Sequence, residues 1–141
     1  MDQSENQRWA RYCEWTARLV FGLTEDRGWF RDAVTSDSED VEIKAARVTK
    51  GRRGRKGTFW IEQDAHEELT ERGGLYVFVL YDPADHEDGP ILDVVMKPAT
   101  FVSESEYSWT ATGGHHKGEF VKKPPWTAVF PERVRNRSAS R

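Results

Sequence analysis

Three charged side chains in the first third of the chain, Asp32, Glu42 and Lys44, have the types and spacing that phosphodiester hydrolysis requires. Glu42 and Lys44 are separated by one residue in a predicted strand. Because strand side chains alternate between faces, these two point the same way and Ile43 points the opposite way. A carboxylate can hold a metal ion that activates water, and an ammonium can offset charge on a scissile phosphate. The triplet therefore predicts a hydrolytic site on one face of a strand.

A second acidic residue is expected to meet Glu42 across a β-hairpin. An extended run precedes the turn-forming cluster at residues 36–38. If the middle residue of that cluster centres a three-residue loop, Val34 faces Asp40 and Asp32 lies directly opposite Glu42. Opposed residues have Cβ atoms roughly 5 Å apart, a distance at which two carboxylates repel each other. A shared divalent cation such as Mg²⁺, which prefers oxygen ligands, explains the pair most simply.

The segments Arg-Asp-Ala-Val at residues 31–34 and Val-Glu-Ile-Lys-Ala at residues 41–45 resemble the active-site signature of the PD-(D/E)xK nuclease superfamily. This superfamily includes restriction endonucleases and archaeal Holliday-junction resolvases. The resemblance covers residues 8–82, and Arg31 stands where the signature has proline. It implies a metal-dependent DNA endonuclease with catalytic Asp32, Glu42 and Lys44. It also implies that Asp32 and Glu42 hold Mg²⁺, for which Mn²⁺ can substitute, and that the fold is restriction-endonuclease-like.

Members of this superfamily often add a glutamate from the first helix, and Glu14 is the candidate in this chain. The inward stripe of the predicted first helix consists of Trp9, Tyr12, Cys13, Thr16 and Val20. Glu14 falls roughly opposite that stripe on a helical wheel. We therefore leave Glu14 out of the predicted site.

A basic loop follows the predicted active-site strand. Residues 50–57, Lys-Gly-Arg-Arg-Gly-Arg-Lys-Gly, hold five cations. We predict that Arg52, Arg53, Arg55 and Lys56 bind the DNA backbone, because interleaved glycines let a loop follow phosphates and arginine forks reach them. Binding of this kind releases counterions and should weaken steeply with salt. The alternative for such a run is a solvated loop with no ligand.

The hydrophobic pattern predicts one α/β domain at residues 7–131, between a disordered segment at residues 1–6 and a basic tail at residues 132–141. A central mixed β-sheet flanked by helices follows from the order of its elements. These elements are a helix from Gln7 to Phe21, hairpin strands at 29–35 and 39–49, a helix at 62–72, strands at 75–81 and 90–97, and a closing edge segment at 120–130. The nearly continuous apolar run at 75–81 is typical of a buried central strand.

Composition narrows the class of protein further. With 141 residues, 37% hydrophobic and 32% charged, the chain has the size and balance of one globular domain. The net charge of −3 argues against coating nucleic acid through global charge. Cys13 is the single cysteine, which excludes an intramolecular disulfide and suits a reducing cytoplasm. The sequence has no long apolar run, no signal-peptide pattern and no Gly-rich phosphate loop, so we expect a cytoplasmic protein with no membrane contact and no small-molecule cofactor.

The residues leave two other functions open. One is a non-catalytic nucleic-acid-binding protein, whose DNA binding would be salt-sensitive but indifferent to Mg²⁺. The other is a protein-interaction domain, in which the acidic residues form an ordinary solvated face.

For the nuclease, a chain this short has little room for a separate sequence-reading module. A structure-selective enzyme or a homodimer acting on DNA is therefore the expected form.

Several histidines and tryptophans are secondary candidates. His66 on the second predicted helix could contact substrate, although such residues more often pack or cap. His115 and His116 are potential metal ligands on a loop, but adjacent histidines rarely chelate one ion because their side chains diverge. Trp109 and Trp126 could stack on unpaired bases, and the core is the commoner place for both.

Overall fold

A central five-stranded sheet organises the computed structural model, which describes residues 2–50, 53–84, 89–112 and 119–133. The sheet has the strand order β1-β2-β3-β7-β8, and smaller sheets with the orders β6-β10-β9 and β4-β5 accompany it. Along the chain the elements are α1 (Asp2–Phe21), β1 (Thr24–Glu25), β2 (Ala33–Val34), β3 (Asp40–Arg47), β4 (Thr49–Lys50), β5 (Arg55–Lys56), β6 (Ile61–Glu62), α2 (Gln63–Glu71), β7 (Leu75–Tyr81), β8 (Ile91–Pro98), α3 (Thr100–Ser103), β9 (Thr110–Ala111), β10 (Phe120–Lys122) and α4 (Trp126–Val129).

The sheet is mixed, as the sequence predicts for an α/β fold. Strands β3 and β7 run parallel, from the pair Val41–Leu75 to the pair Arg47–Tyr81. The other neighbours in the sheet are antiparallel. Strand β7 lies between β3 and β8, and every residue after Leu75 in it is buried. The near-continuous apolar run thus marks a central strand covered on both faces.

Helix α1 packs on one face of the sheet through its small residues. Cys13 and Ala17 are fully buried there against β3 and β7, and Trp9 stacks on Tyr81 at 5.4 Å between ring centroids. The predicted inward stripe is wrong for Tyr12 and Val20, which are 40% and 57% exposed. A helix approaches a sheet most closely through small side chains, so the bulky residues turn outward. The helix also begins at Asp2, within the segment that the sequence assigns to disorder.

The second core lies on the opposite face of the sheet, beneath α2, the small sheet β6-β10-β9 and α4. Its buried side chains include Phe59, Leu69, Tyr76, Phe78 and Trp126. The segment predicted as a closing edge instead contributes β10, which is the middle strand of the small sheet. That sheet was not anticipated, because its strands are only two or three residues long and carry little pattern of their own.

Gly57 fixes the point at which the basic segment returns to the core. A Cβ atom at this position would lie 1.7 Å from the carbonyl oxygen of Arg47, which only glycine avoids. The Gly57 N–H donates to Val48 O at 3.2 Å, and its carbonyl accepts from Trp126 N–H at 3.0 Å. The hairpin β4–β5 is therefore anchored beside the last residues of β3.

None of the helices in the described ranges is long and apolar enough to span a bilayer.

Candidate active site

The hairpin that carries the acidic residues has the predicted register at its turn. Val34 pairs with Asp40 and Ala33 with Val41, and Thr35 N–H donates to Glu39 O at 3.0 Å across the three-residue loop. This confirms the register deduced from the turn-forming cluster. Pairing then ends, because β2 contains only Ala33 and Val34 instead of the full run predicted at 29–35.

Asp32 is not in the predicted cross-strand pair with Glu42. Its N–H donates to Val41 O at 2.8 Å, opposite the same residue that pairs with Ala33. Two residues facing one is the arrangement of a β-bulge, which re-aims side chains. The Asp32 carboxylate turns onto β3, where Oδ2 accepts from Ile43 N–H at 2.8 Å. The expected acidic pair therefore forms through side chains and not through regular strand pairing.

The carboxyl groups of Glu42 and Asp32 meet in a part-buried position. The pKa of Glu42 is raised to about 9, first by burial and next by a side-chain hydrogen bond with Asp32. The ammonium of Lys44 acts in the opposite direction and lowers the pKa of Glu42, while the charges of Asp32 and Glu62 raise it. At neutral pH the Glu42 carboxyl therefore keeps its proton, and its O–H donates a hydrogen bond to the Asp32 carboxylate. The site brings together all three residues that the sequence selected.

Arg27, on the loop between β1 and β2, joins this site to α1. Its Nη1 donates to Asp32 Oδ1 at 3.3 Å, and its Nη2 forms an ion pair with Glu14. Glu14 is thus separated from Asp32 by a single guanidinium, with its side chain 18% exposed. The sequence leaves Glu14 out of the site, and in the structure Glu14 reaches Asp32 through Arg27, because the helix turns Cys13 and Ala17 to the core and brings Glu14 to the flank. No sequence pattern marked Arg27.

The sequence profile of a PD-(D/E)XK nuclease superfamily domain matches residues 1–131. The chain belongs to the PD-(D/E)XK nuclease superfamily. No curated protein matches the chain. The chain is therefore a nuclease-type domain, for which nucleic acid is the implied substrate. PD-(D/E)XK nucleases generally use divalent metal ions.

The residues of this PD-(D/E)XK site suit a hard divalent cation. Asp32 and Glu42 place carboxyl oxygens side by side, and these are ligands that a hard divalent cation prefers once the Glu42 proton has been displaced. Mg²⁺ needs only one or two carboxylates when water and substrate oxygens complete its shell. Within the described ranges no group of three or more His, Cys, Asp or Glu side chains forms a fuller cage. The donor set therefore fits an ion that is shared with the substrate.

The basic segment forms the hairpin β4–β5, in which Lys50 pairs with Arg55. Arg53, Arg55 and Lys56 are exposed, and Arg52 lies outside the described residues. The hairpin follows the end of β3, five residues beyond Glu42, which corresponds to about 17 Å of strand. It therefore does not border the carboxylates directly. The chain from Gly57 to Glu62 spans that gap by running back toward Glu42.

Three of the other candidates, His66, Trp109 and Trp126, pack in or against the core of the domain. His66 is buried, with Nδ1 2.7 Å from the Tyr76 hydroxyl and Nε2 2.8 Å from Ser103 Oγ. Burial lowers the pKa of His66 to about 4, as expected for a neutral packing residue. Trp126 is also buried and donates Nε1–H to Val48 O at 2.9 Å. Trp109 packs against His66, whereas His115 and His116 lie outside the described residues.

Proposed function

We propose that this domain is a metal-dependent DNA endonuclease that hydrolyses phosphodiester bonds with Mg²⁺ held by Asp32 and Glu42. The observation that carries the proposal is the hydrogen-bonded pair of carboxyl groups beside Lys44 in a nuclease-superfamily chain. A protein that used these residues only as a solvated face would not bury one of the acids and hold it protonated. Mn²⁺ is expected to replace Mg²⁺, because both ions accept oxygen ligands.

Each residue has a distinct task in this mechanism. When bound, the ion lowers the pKa of a coordinated water and offsets charge on the phosphate. Glu42 must first lose its proton to become a ligand, so it couples binding to pH. The Ile43 N–H holds the Asp32 carboxylate in place through its bond to Oδ2. Lys44 lies on the same face as Glu42, where its ammonium orients the attacking water or stabilises negative charge that develops on the phosphate.

The substrate backbone is proposed to follow the hairpin β4–β5. Arg53, Arg55 and Lys56 are exposed cations on this hairpin, and Arg52 belongs to the same basic run of the sequence. Guanidinium forks suit phosphate oxygens because they donate two parallel hydrogen bonds. The strand spacing between the hairpin and the carboxylates, about 17 Å, matches a few nucleotides of backbone. DNA held by the hairpin could therefore reach the carboxyl pair without a change in the fold.

We also propose that the enzyme is cytoplasmic, selective for DNA structure and homodimeric. The buried lone thiol of Cys13 is compatible with a reducing compartment. An outward row on α1 supports self-association, since Tyr12, Trp15 and Leu19 are 40%, 51% and 63% exposed. Two copies would supply two active sites for two strands. Sedimentation of wild type against Leu19→Glu tests the dimer: a monomeric wild-type protein would contradict it.

The proposed chemistry is tested by cleavage of branched, nicked and linear DNA with Mg²⁺. Asp32→Ala and Lys44→Ala should each abolish cleavage, while the exposed Glu67→Ala on α2 should cleave like wild type. Circular dichroism of each variant checks that the fold is kept. Cleavage that survives both active-site substitutions would rule out this mechanism. Salt-sensitive DNA binding without any cleavage by wild type would favour the non-catalytic alternative, and no DNA binding at low salt would favour the protein-interaction alternative.

A further inference from the structure

Trp60 is an exposed aromatic side chain held next to a cation. Its side chain is 51% exposed, although most aromatic residues of this face belong to the core. The ammonium of Lys123 lies 4.7 Å from the ring centroid. Lys123 is also exposed. An indole of this kind, half open to solvent and flanked by a positive charge, has the chemistry that a nucleotide needs: a flat surface for the base and a cation for the phosphate.

A short antiparallel ladder fixes where Trp60 points. Thr58 bridges to Pro125, and Glu62 pairs with Val121 further along the same register. Trp60 lies midway between Thr58 and Glu62, so the alternation of strand side chains places the three on one face of the ladder. The orientation of Trp60 is therefore set by backbone pairing on both sides of it.

That face connects the two halves of the proposed nuclease site. At one end, Lys50 of the basic hairpin donates from Nζ to Thr58 Oγ1 at 3.0 Å. At the other end, Glu62 is near enough to Glu42 for its charge to act on that carboxyl. Residues two apart in a strand are separated by about 7 Å, so Trp60 lies about one nucleotide step from either end. Trp60 therefore lies between the basic hairpin and the carboxyl pair along this face of the ladder.

We propose that Trp60 and Lys123 form a stacking site for an unpaired nucleotide between the basic hairpin and the carboxyl pair. The base lies on the indole, and Lys123 contacts the adjoining phosphate. This inference rests on the proposed nuclease function and specifies its substrate class: DNA with a single-stranded segment at or near the cleavage point. A base inside a duplex has both faces covered by its neighbours, so intact duplex cannot use this site.

The test is the affinity for a fluorescent oligothymidine and for a matched duplex, measured in EDTA and again with Ca²⁺ so that cleavage does not interfere. Trp60→Ala should weaken binding of the single strand roughly tenfold or more, and should change duplex binding much less. Trp60→Phe keeps a ring and should lie between the two. The matched control is Trp29→Ala, because Trp29 is also an exposed tryptophan, at 67%, but lies in the loop between β1 and β2 and not on this ladder.

Two further measurements distinguish stacking from a change in fold. A 2-aminopurine base in the oligonucleotide should be quenched on binding wild type and should stay bright with Trp60→Ala, because the fluorophore responds to stacking. Lys123→Ala should weaken binding by a few-fold and reduce its salt dependence by about one counterion.

The inference is overturned if Trp60→Ala binds the single strand as Trp29→Ala does, or if wild type binds no single strand at all. Either result can be obtained whether or not Asp32→Ala abolishes cleavage. The stacking site can therefore fail while the nuclease proposal stands. The nuclease proposal itself is tested separately, by the cleavage assay.

Discussion

Glu42→Gln should stabilise the metal-free protein near neutral pH, although it removes a proposed metal ligand. In the folded state burial raises the pKa of Glu42 from 4.5 to about 9. The unfolded chain releases this proton above about pH 4.5, so folding is favoured less and less as the pH rises toward 9. Glutamine is neutral at every pH and can still donate an N–H to Asp32. The variant therefore avoids the proton uptake that folding of wild type requires.

The expected magnitude follows from the size of the shift. Each pH unit between the unfolded and the folded pKa costs wild type about 1.4 kcal/mol of unfolding free energy. At about pH 7 the accumulated difference reaches roughly 3 kcal/mol in favour of Glu42→Gln, and it should vanish near pH 4. The assay is urea unfolding in EDTA at several pH values between these limits. The exposed Glu67→Gln serves as the matched control and should follow wild type throughout.

A divalent ion should reverse the ranking, because it binds the ionised carboxylate of wild type. At an ion concentration of about one thousand times Kd, wild type should gain roughly 4.1 kcal/mol, which exceeds the difference in the metal-free state, and Glu42→Gln should gain little. Proton release on addition of Mn²⁺, followed in weakly buffered solution, should accompany this gain in wild type only. If Glu42→Gln is no more stable than wild type near pH 7 in EDTA, or if the difference is the same at every pH, the buried protonated carboxyl has been misassigned.

Three other perturbations test separate parts of the structure. Arg55→Ala should reduce the slope of log affinity against log salt by about 0.9 if this residue neutralises one phosphate, as titration with labelled DNA at several salt concentrations can show. Arg27→Gln removes a guanidinium that competes with a metal ion for Asp32 Oδ1. Calorimetry should therefore find Mn²⁺ bound about two- to fivefold more tightly, and weaker binding would show that the two cations do not compete. Gly57→Ala should cost more than about 2 kcal/mol in urea unfolding because its Cβ would meet the Arg47 carbonyl, and a near-neutral result would contradict the close approach.

The elements with a strong local pattern could be read from the sequence. The apolar run of β7 predicts a buried central strand, and the turn residues before β3 predict the pairing of Val34 with Asp40. Alternation along β3 places Glu42 and Lys44 on one face. These results depend on neighbours within a few positions in the chain, where backbone geometry leaves few alternatives.

The sequence did not show in the same way which face of α1 packs against the sheet. Tyr12 and Val20 have the spacing of an inward stripe, yet Cys13 and Ala17 occupy the core. The choice depends on which helix face fits the surface of β3 and β7, and that surface is made by residues distant in sequence. Packing density overrides the local hydrophobic pattern at this position.

The electrostatic state of the site was also decided only by the tertiary structure. The sequence placed Asp32 and Glu42 near each other, but the bulge at Asp32, the approach of Arg27 and the burial of Glu42 arise from the assembled chain. The sequence by itself determined which charged side chains share a strand face, because alternation is a property of the backbone. The fold determined their protonation and partners, because desolvation and charge–charge energies depend on every group that packs around them.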